Sequence, residues 1–194
     1  MKYAVAEIFH SIQGQGYWAG TPAVFVRLQG CDVGCPWCNE KNTWAAGAAI
    51  WSIDSILDAA DSYGCNHVVL TGGEPLAQPI GPLIKALGRC FWRVQIETSG
   101  TEPLPRADAW ITLAPKFGMA RPMIVGTGMD EIKVMVGKPS DIEAAQPLIL
   151  ANPNAHVFLQ PISESPKATE ICVREAMKNN WRMSVSIHRM LGLQ

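Results

Sequence analysis

The length, composition and charge of the chain exclude several classes of protein. Its 194 residues are 48% hydrophobic and 17% charged with a formal net charge of −1, which fits one folded domain and not a strongly basic nucleic-acid-binding protein. No apolar run reaches the roughly 18 residues of a membrane span, and residues 1–7 lack the apolar core of a signal peptide. We therefore expect a single soluble domain over residues 1–194, located in the cytoplasm, that binds neither nucleic acid nor a membrane.

Strands and helices alternate along the chain. The predicted strands are 23–28, 67–70, 94–97, 109–113, 131–136, 156–160 and 183–187, and the predicted helices are 52–63, 80–87, 141–150 and 169–178. Residues 31–50 are expected to form a long loop. This alternation predicts an α/β fold with right-handed crossovers and a mostly parallel sheet. The length fits a partial barrel of about six strands, because eight usually take roughly 250 residues.

Short polar or glycine-rich segments follow several of the predicted strands. They are residues 29–30, 71–75, 98–100 and 114–116. In parallel α/β architectures the carboxyl ends of the strands form the edge at which ligands bind. The sequence therefore indicates a small enzyme with its site at this edge.

Three of the six cysteines, Cys31, Cys35 and Cys38, lie within eight residues of the predicted loop. In a chain without an export signal, a tight cysteine cluster indicates metal or redox chemistry. Three thiolates can hold three irons of a cubane cluster and leave the fourth open to a ligand. A structural zinc ion needs four closed ligands, and no cysteine or histidine at a standard spacing supplies the fourth. We favour an iron–sulfur cluster, with zinc or a Cys35/Cys38 redox pair as alternatives.

Other residues at the same edge have both a binding and a structural interpretation. Arg27 lies on the opposite face of its strand from Val24, Val26 and Leu28, and a buried arginine needs either an internal carboxylate or an anionic ligand. A glycine pair at 72–73 lets a ligand approach bare backbone or simply forms a tight turn. Lys116 follows the predicted strand 109–113, and its ammonium group is expected either to bind an anionic group or to lie in solvent.

The spacing Cys31-x3-Cys35-x2-Cys38 resembles the signature of the radical S-adenosylmethionine (SAM) enzymes. The resemblance implies a partial (β/α)6 barrel and a [4Fe–4S] cluster whose open iron chelates SAM and cleaves it to a 5′-deoxyadenosyl radical. Five segments occur in an order similar to that of one family within this superfamily, the 7-carboxy-7-deazaguanine synthases of queuosine biosynthesis. These segments are residues 9–16, 25–31, 71–75, 97–101 and 160–162.

The family resemblance implies a reaction and a set of site residues. The enzyme would be a carbon–nitrogen lyase that converts 6-carboxy-5,6,7,8-tetrahydropterin to 7-carboxy-7-deazaguanine with loss of ammonia, without an obligatory general acid or base. The implied pterin-binding residues are Ile12, Gln13, Gly14, Arg27, Thr71 and His188. The implied SAM-binding residues are Trp37, Cys38, Asn39, Gly73, Glu74, Ala114, Pro115, Lys116 and Gln160, where Glu74 serves a ligand or braces its turn.

The chain departs from the family pattern beside the third cysteine. Glu40 stands where the family has a threonine or serine that ligates Mg²⁺, and Asn39 replaces an aspartate. A carboxylate is a hard ligand, but it repels a substrate carboxylate unless a cation intervenes, so we expect Mg²⁺ at Glu40. The resemblance also implies a homodimer and flavodoxin or ferredoxin as electron donor. The alternatives are another small radical SAM enzyme, such as a glycyl-radical activase, and a zinc-binding module.

Overall fold

The computed structural model describes residues 1–38, 40–45, 47–91, 93–105, 108–119, 121–124 and 126–193. The strands in this part of the chain are β1 (Lys2–Ile12), β2 (Pro22–Leu28), β3 (Ala49–Ser52), β4 (His67–Gly72), β5 (Arg93–Thr98), β6 (Trp110–Leu113), β7 (Glu131–Val136), β8 (His156–Pro161) and β9 (Arg182–Met183). The α-helices are α1 (Ile53–Asp61), α2 (Gly81–Cys90), α3 (Pro139–Ala151), α4 (Pro166–Asn179) and α5 (Ile187–Met190). None of these helices combines the length and apolar character needed to span a bilayer.

All these strands form one open sheet in the order β3-β1-β2-β4-β5-β6-β7-β8-β9. The strands β2, β4, β5, β6, β7 and β8 pair with one another in parallel, as the predicted partial barrel of about six strands requires. On one side β1 pairs antiparallel with both β2 and β3. The α/β partial barrel is therefore confirmed, and it is extended by antiparallel strands at one edge.

Several sequence expectations about individual elements were wrong. Strands β1 and β3 were not predicted, and β3 begins within the last residues of the segment 31–50 that was expected to be loop. The predicted strand 183–187 is split, because β9 ends at Met183 and α5 begins at Ile187. In contrast, no helix was predicted between β5 and β6 or between β6 and β7, and none occurs among the described residues of these connections, which contain proline and glycine.

The two faces of the parallel strands differ in polarity. The outer face is apolar and packs on the helices; its fully buried members include Val24, Val26, Leu28, Leu70, Ile96, Leu113, Ile132 and Leu159, which cluster with Ile56, Leu83, Ile84 and Leu87. Several positions of the inner face carry buried polar side chains, among them Gln95, Thr112, Glu131 and Lys133. The apolar core therefore lies between sheet and helices, and the barrel interior holds a hydrogen-bonded polar network.

Candidate active site

Two adjoining cavities lie inside the partial barrel. The smaller has a volume of about 220 Å³ and reaches the carboxyl ends of the parallel strands. The larger, of about 540 Å³, extends along β1 and β2 towards the C-terminal segment. Three residues, Gln15, Thr71 and Glu97, line both cavities. A ligand in one cavity would therefore lie next to a ligand in the other.

The three clustered cysteines line the smaller cavity as free thiols. A backbone hydrogen bond from Cys38 N to Cys35 O, 3.0 Å long, tightens the loop, and the Glu40 amide donates to Cys38 Sγ at 3.3 Å. Burial raises the pKa of Cys31 and of Cys35, whereas the Lys116 ammonium acts in the opposite direction on Cys35. The lysine thus favours the thiolate that an iron ligand must be.

The donor set of this cavity fits a cluster with one open iron. Among the described lining residues there is neither a histidine nor a fourth cysteine. No three His, Cys, Asp or Glu side chains in the described part of the chain are arranged to hold a single metal ion. The buried Trp37 Nε1, beside the thiols, has no hydrogen-bond partner among the described residues, so it leaves a donor available to a ligand.

The structure gives the glycine pair a packing reason that the sequence interpretation missed. A Cβ at Gly72, which has a φ of +111°, would lie 2.3 Å from Leu28 O. A Cβ at Gly73 would lie 2.1 Å from Gly30 O. The backbone at the end of β2 and just after it therefore requires both glycines, whether or not a ligand approaches them.

Glu74 is buried and fully engaged by donors of the protein. Its Oε1 accepts from Leu76 N at 3.1 Å and from Thr98 Oγ1 at 2.5 Å. Its Oε2 accepts from the backbone amide and the hydroxyl of Ser99, at 2.8 and 2.5 Å. This geometry corresponds to the bracing role, because the carboxylate joins the segments after β4 and β5.

The other expected SAM-binding residues lie at the same edge. Ala114, Lys116 and Gln160 line the smaller cavity, and Pro115 lies with Trp37 in an adjoining cavity of about 360 Å³. Burial lowers the pKa of Lys116. The Oε1 of Gln160 accepts a 3.1 Å hydrogen bond from Ser184 Oγ, so this amide also holds the C-terminal segment. Asn39 lies outside the described residues.

The larger cavity contains every residue expected at the pterin site. Its lining includes Ile12, Gln13, Gly14, Arg27, Thr71, His188 and Glu40. Arg27 is 8% exposed; its Nε lies 2.6 Å from Glu7 Oε1 and its Nη1 lies 3.0 Å from Glu40 Oε2. The guanidinium also lies over the ring of Phe9, 5.2 Å from the centroid. The internal carboxylates that the sequence analysis gave as one interpretation of Arg27 are therefore present at the cavity wall, while the binding of an anionic ligand stays a prediction.

Glu97, which the sequence analysis did not select, is the centre of the polar network between the two cavities. Its Oε1 accepts from Gln13 Nε2 at 3.3 Å and from Gln95 Nε2 at 3.0 Å. Its Oε2 lies 2.8 Å from Lys133 Nζ, which also donates to Gln15 Oε1. The available signal was the alternation of polar residues along β5 and β7, which places their side chains on the inner face.

His188 closes the larger cavity from the C-terminal side. A Cβ at Gly14 would lie 1.7 Å from His188 Nδ1, so the absence of a side chain at Gly14 lets the imidazole sit there. The Ile187 amide donates to Gly14 O at 3.0 Å. Burial and the charge of Arg189 lower the pKa of His188, which favours the neutral ring.

An open parallel barrel with three thiols in the loop after its first parallel strand defines a radical SAM enzyme. The family model of the radical SAM superfamily matches residues 25–144, more than half of the chain. Within that superfamily, the chain belongs to the 7-carboxy-7-deazaguanine synthases, because proteins of that name are similar to it over its whole length. Members of the superfamily use a [4Fe–4S] cluster and SAM, which supports the cofactors expected from the cysteine spacing.

Relatives of this family match the whole length of the chain. The 7-carboxy-7-deazaguanine synthase of Escherichia coli (strain K12) is 35% identical over 100% of both chains. That of Bacteroides thetaiotaomicron is 37% identical over 100% of both chains, and that of Synechocystis sp. is 36% identical over 100% of this chain and 95% of its own. The crystal structure of QueE from Escherichia coli superposes with a TM-score of 0.88 at 34% identity, covering 97% of this chain and 95% of that one.

Proposed function

We propose that the protein converts 6-carboxy-5,6,7,8-tetrahydropterin to 7-carboxy-7-deazaguanine and ammonia, as a radical SAM lyase of queuosine biosynthesis. One observation carries the proposal: a cavity with three thiols adjoins a cavity with a buried arginine, and Thr71 and Glu97 line both. A radical generated in the first cavity would meet a substrate held in the second. Short transfer distances matter because a misplaced radical attacks its surroundings.

The larger cavity offers groups that match a carboxypterin. Arg27 would bind the substrate carboxylate with its planar fork of donors. The backbone at Ile12 and Gly14 and the amide of Gln13 would face the edge of the pterin ring, with Thr71 and a neutral His188 against its other side. Glu97 lies within the same lining, so its carboxylate is available to an N–H group of the substrate.

The smaller cavity would hold the cluster and SAM. Cys31, Cys35 and Cys38 would ligate three irons of the cluster. When bound in this cavity, the cluster would deliver an electron to SAM, and SAM would supply the adenosyl radical that starts the reaction. The SAM contacts would come from Trp37, Cys38, Asn39, Gly73, Ala114, Pro115, Lys116 and Gln160. Glu74 would act on SAM through the segments that it braces.

The charges around Arg27 support a divalent cation. Glu7 and Glu40 already surround this single guanidinium. A bound substrate carboxylate would add a third negative charge, leaving the group with a net charge of −2. Mg²⁺ with Glu40 and the substrate carboxylate among its oxygen ligands would neutralise this excess. The chain would thus use a carboxylate where its family uses a hydroxyl.

The partners are proposed from the family and from the composition. The radical reaction needs an external one-electron donor, for which flavodoxin or ferredoxin is the expected class. A homodimer would bury some of the surface of a chain with only 17% charged residues, compared with about 25% in an average protein.

The proposal is tested by anaerobic incubation with SAM, a reductant and the carboxypterin, followed by mass detection of the product. We expect about four irons and four sulfides per chain, together with turnover of the carboxypterin. The variants Cys31→Ala, Cys35→Ala and Cys38→Ala should lose the cluster, whereas the matched controls Cys90→Ala and Cys172→Ala should retain it. A cluster-containing protein that leaves the carboxypterin unchanged would contradict the assigned substrate.

A further inference from the structure

The loop between β1 and β2, residues 13–21, is attached to the barrel at several points. The Gly16 amide donates to Ser184 Oγ at 3.2 Å, and the Tyr17 amide donates to Glu131 Oε2 at 3.1 Å. Its first residues, Gln13, Gly14 and Gln15, belong to the lining of the larger cavity. The attachment of this loop therefore determines where part of that cavity wall lies.

Glu131 is the first residue of β7 and its side chain points into the barrel interior. The residue has 0% exposure and does not belong to the lining of either cavity. Thr112 Oγ1 and Trp110 Nε1 each lie 3.4 Å from Oε2, while Oε1 has no hydrogen-bond partner among the described residues. Burial raises the pKa of this carboxyl, whereas the charge of Lys133 and the hydrogen bonds from Tyr17 N and Trp110 Nε1 act in the opposite direction.

Gly16 lies directly against this carboxyl group. A Cβ at Gly16 would be 2.0 Å from Glu131 Oε1 and 2.8 Å from its Cδ. The φ of Gly16 is +71°, and that of Gly20 in the same loop is +89°. A Cβ at Gly20 would meet nothing within 4 Å. The two glycines thus share the left-handed backbone but differ in their contact with Glu131.

We propose that Glu131 is a positioning residue for substrate binding, which holds the backbone at Gly16 and Tyr17 so that Gln13 and Gln15 keep their places at the cavity wall. The proposal rests on the proposed function, because it concerns the wall of the same pterin site. A displaced loop would move Gln13 Nε2 away from Glu97, where the distance is 3.3 Å. It would also move Gln15 Oε1 away from Lys133 Nζ, where the distance is 2.9 Å.

Displacement of the loop should affect the binding of the carboxypterin and not the binding of SAM or of the cluster. The loop residue Gln15 also lines the smaller cavity. The three thiols and the expected SAM-binding residues, however, belong to other segments of the chain. A shift of the loop should therefore raise the KM for the carboxypterin and leave the SAM affinity and the iron content close to their original values. A general loss of stability would lower all of these together.

The test compares Gly16→Ala with Gly20→Ala in the reconstituted enzyme. Both variants carry the cost of a side chain at positive φ, but only in Gly16→Ala must the loop or the Glu131 carboxyl group move, which breaks the attachment of the Tyr17 amide to Glu131. We expect the KM for the carboxypterin to rise at least tenfold in Gly16→Ala and less than twofold in Gly20→Ala, with iron content unchanged in both. Equal KM values in the two variants would overturn the proposal.

Variants of Glu131 complete the experiment. Glu131→Gln keeps an oxygen that can accept from the Tyr17 amide and should retain the original KM, whereas Glu131→Ala should raise it. In the double variant Gly16→Ala/Glu131→Ala the clash is relieved, so its KM should lie well below the product of the two single effects. Independent, multiplying effects would also overturn the proposal. If the unmodified enzyme does not turn over the carboxypterin, the proposed function fails first and this inference falls with it.

Discussion

Arg27 Nη1 and Glu40 Oε2 lie 3.0 Å apart at the wall of the larger cavity. Glu40 therefore occupies a donor that the proposed substrate carboxylate would need. The two carboxylates would compete for one guanidinium and repel each other, unless a cation took up the charge of Glu40. Substrate affinity and cation dependence should consequently be linked through this residue.

Glu40→Gln should separate these two effects. We expect the KM for the carboxypterin, measured with a chelator, to fall several-fold because the competing charge is removed. Stimulation by Mg²⁺ should disappear, because the variant lacks the negative charge of Glu40 that the cation would bind. The steady-state measurement would use Glu143→Gln, an exposed glutamate of α3, as control. Unchanged Mg²⁺ stimulation in Glu40→Gln would contradict the assignment of a cation to this position.

Glu74→Gln should destabilise the protein, because an amide replaces one oxygen of a carboxylate that accepts four hydrogen bonds. A buried donor left without an acceptor costs about 1–3 kcal/mol, so the free energy of unfolding should fall by about 2 kcal/mol. Anaerobic chemical denaturation would measure it, with Glu170→Gln on the exposed face of α4 as control. A stability like that of the control would show that Glu74 does not brace these segments.

His67 should make the protein sensitive to acid. Burial and, to a smaller extent, the charge of Arg93 lower its pKa from 6.5 to about 4, whereas a hydrogen bond with Gln95 acts in the opposite direction. Between pH 6.5 and about 4, His67 is protonated in the unfolded chain and neutral in the folded protein. The His67 contribution to stability is thus complete above pH 6.5 and is lost as the pH falls towards 4, by up to about 3 kcal/mol.

Denaturation at a series of pH values would measure this dependence. His67→Gln should reduce the slope of the unfolding free energy between pH 4 and 6.5. His10→Gln, at an exposed position of β1, serves as control. An identical slope in His67→Gln and in the unmodified protein would refute a buried neutral His67.

Arg121 should protect the cluster loop. Its guanidinium pairs with Asp32, between the first two cluster cysteines, and with Glu102, which follows β5. Arg121→Ala would release Asp32 and loosen the loop, so we expect faster loss of iron in air and a lower iron content after anaerobic purification. Lys167→Ala, an exposed lysine of α4, is the matched control. Equal rates of cluster bleaching in the two variants would contradict the prediction.

Much of the fold and site followed from local patterns. The strand and helix periods predicted the six parallel strands, and the spacing of three cysteines within one loop predicted that their thiols lie together at one cavity. Arg27 could be assigned to an inner face because side chains alternate along a strand. The same alternation applies to Gln95 and Glu97 on β5. The sequence analysis did not select them, because polar residues of a strand can be assigned to the barrel interior only when the other face is known to pack on the helices.

The sequence by itself determined the cysteine-bearing loop, the alternation of strands and helices, and the two chemically distinct faces of each strand, because these depend on residues close together in the chain. Only the tertiary structure decided that Glu7 and Glu40 flank Arg27, that Glu97 joins two cavities and that Gly16 lies against Glu131. Such contacts depend on the register of each strand and the closure of the barrel. These are set by the summed packing of the whole sheet on its helices, and no short segment encodes them.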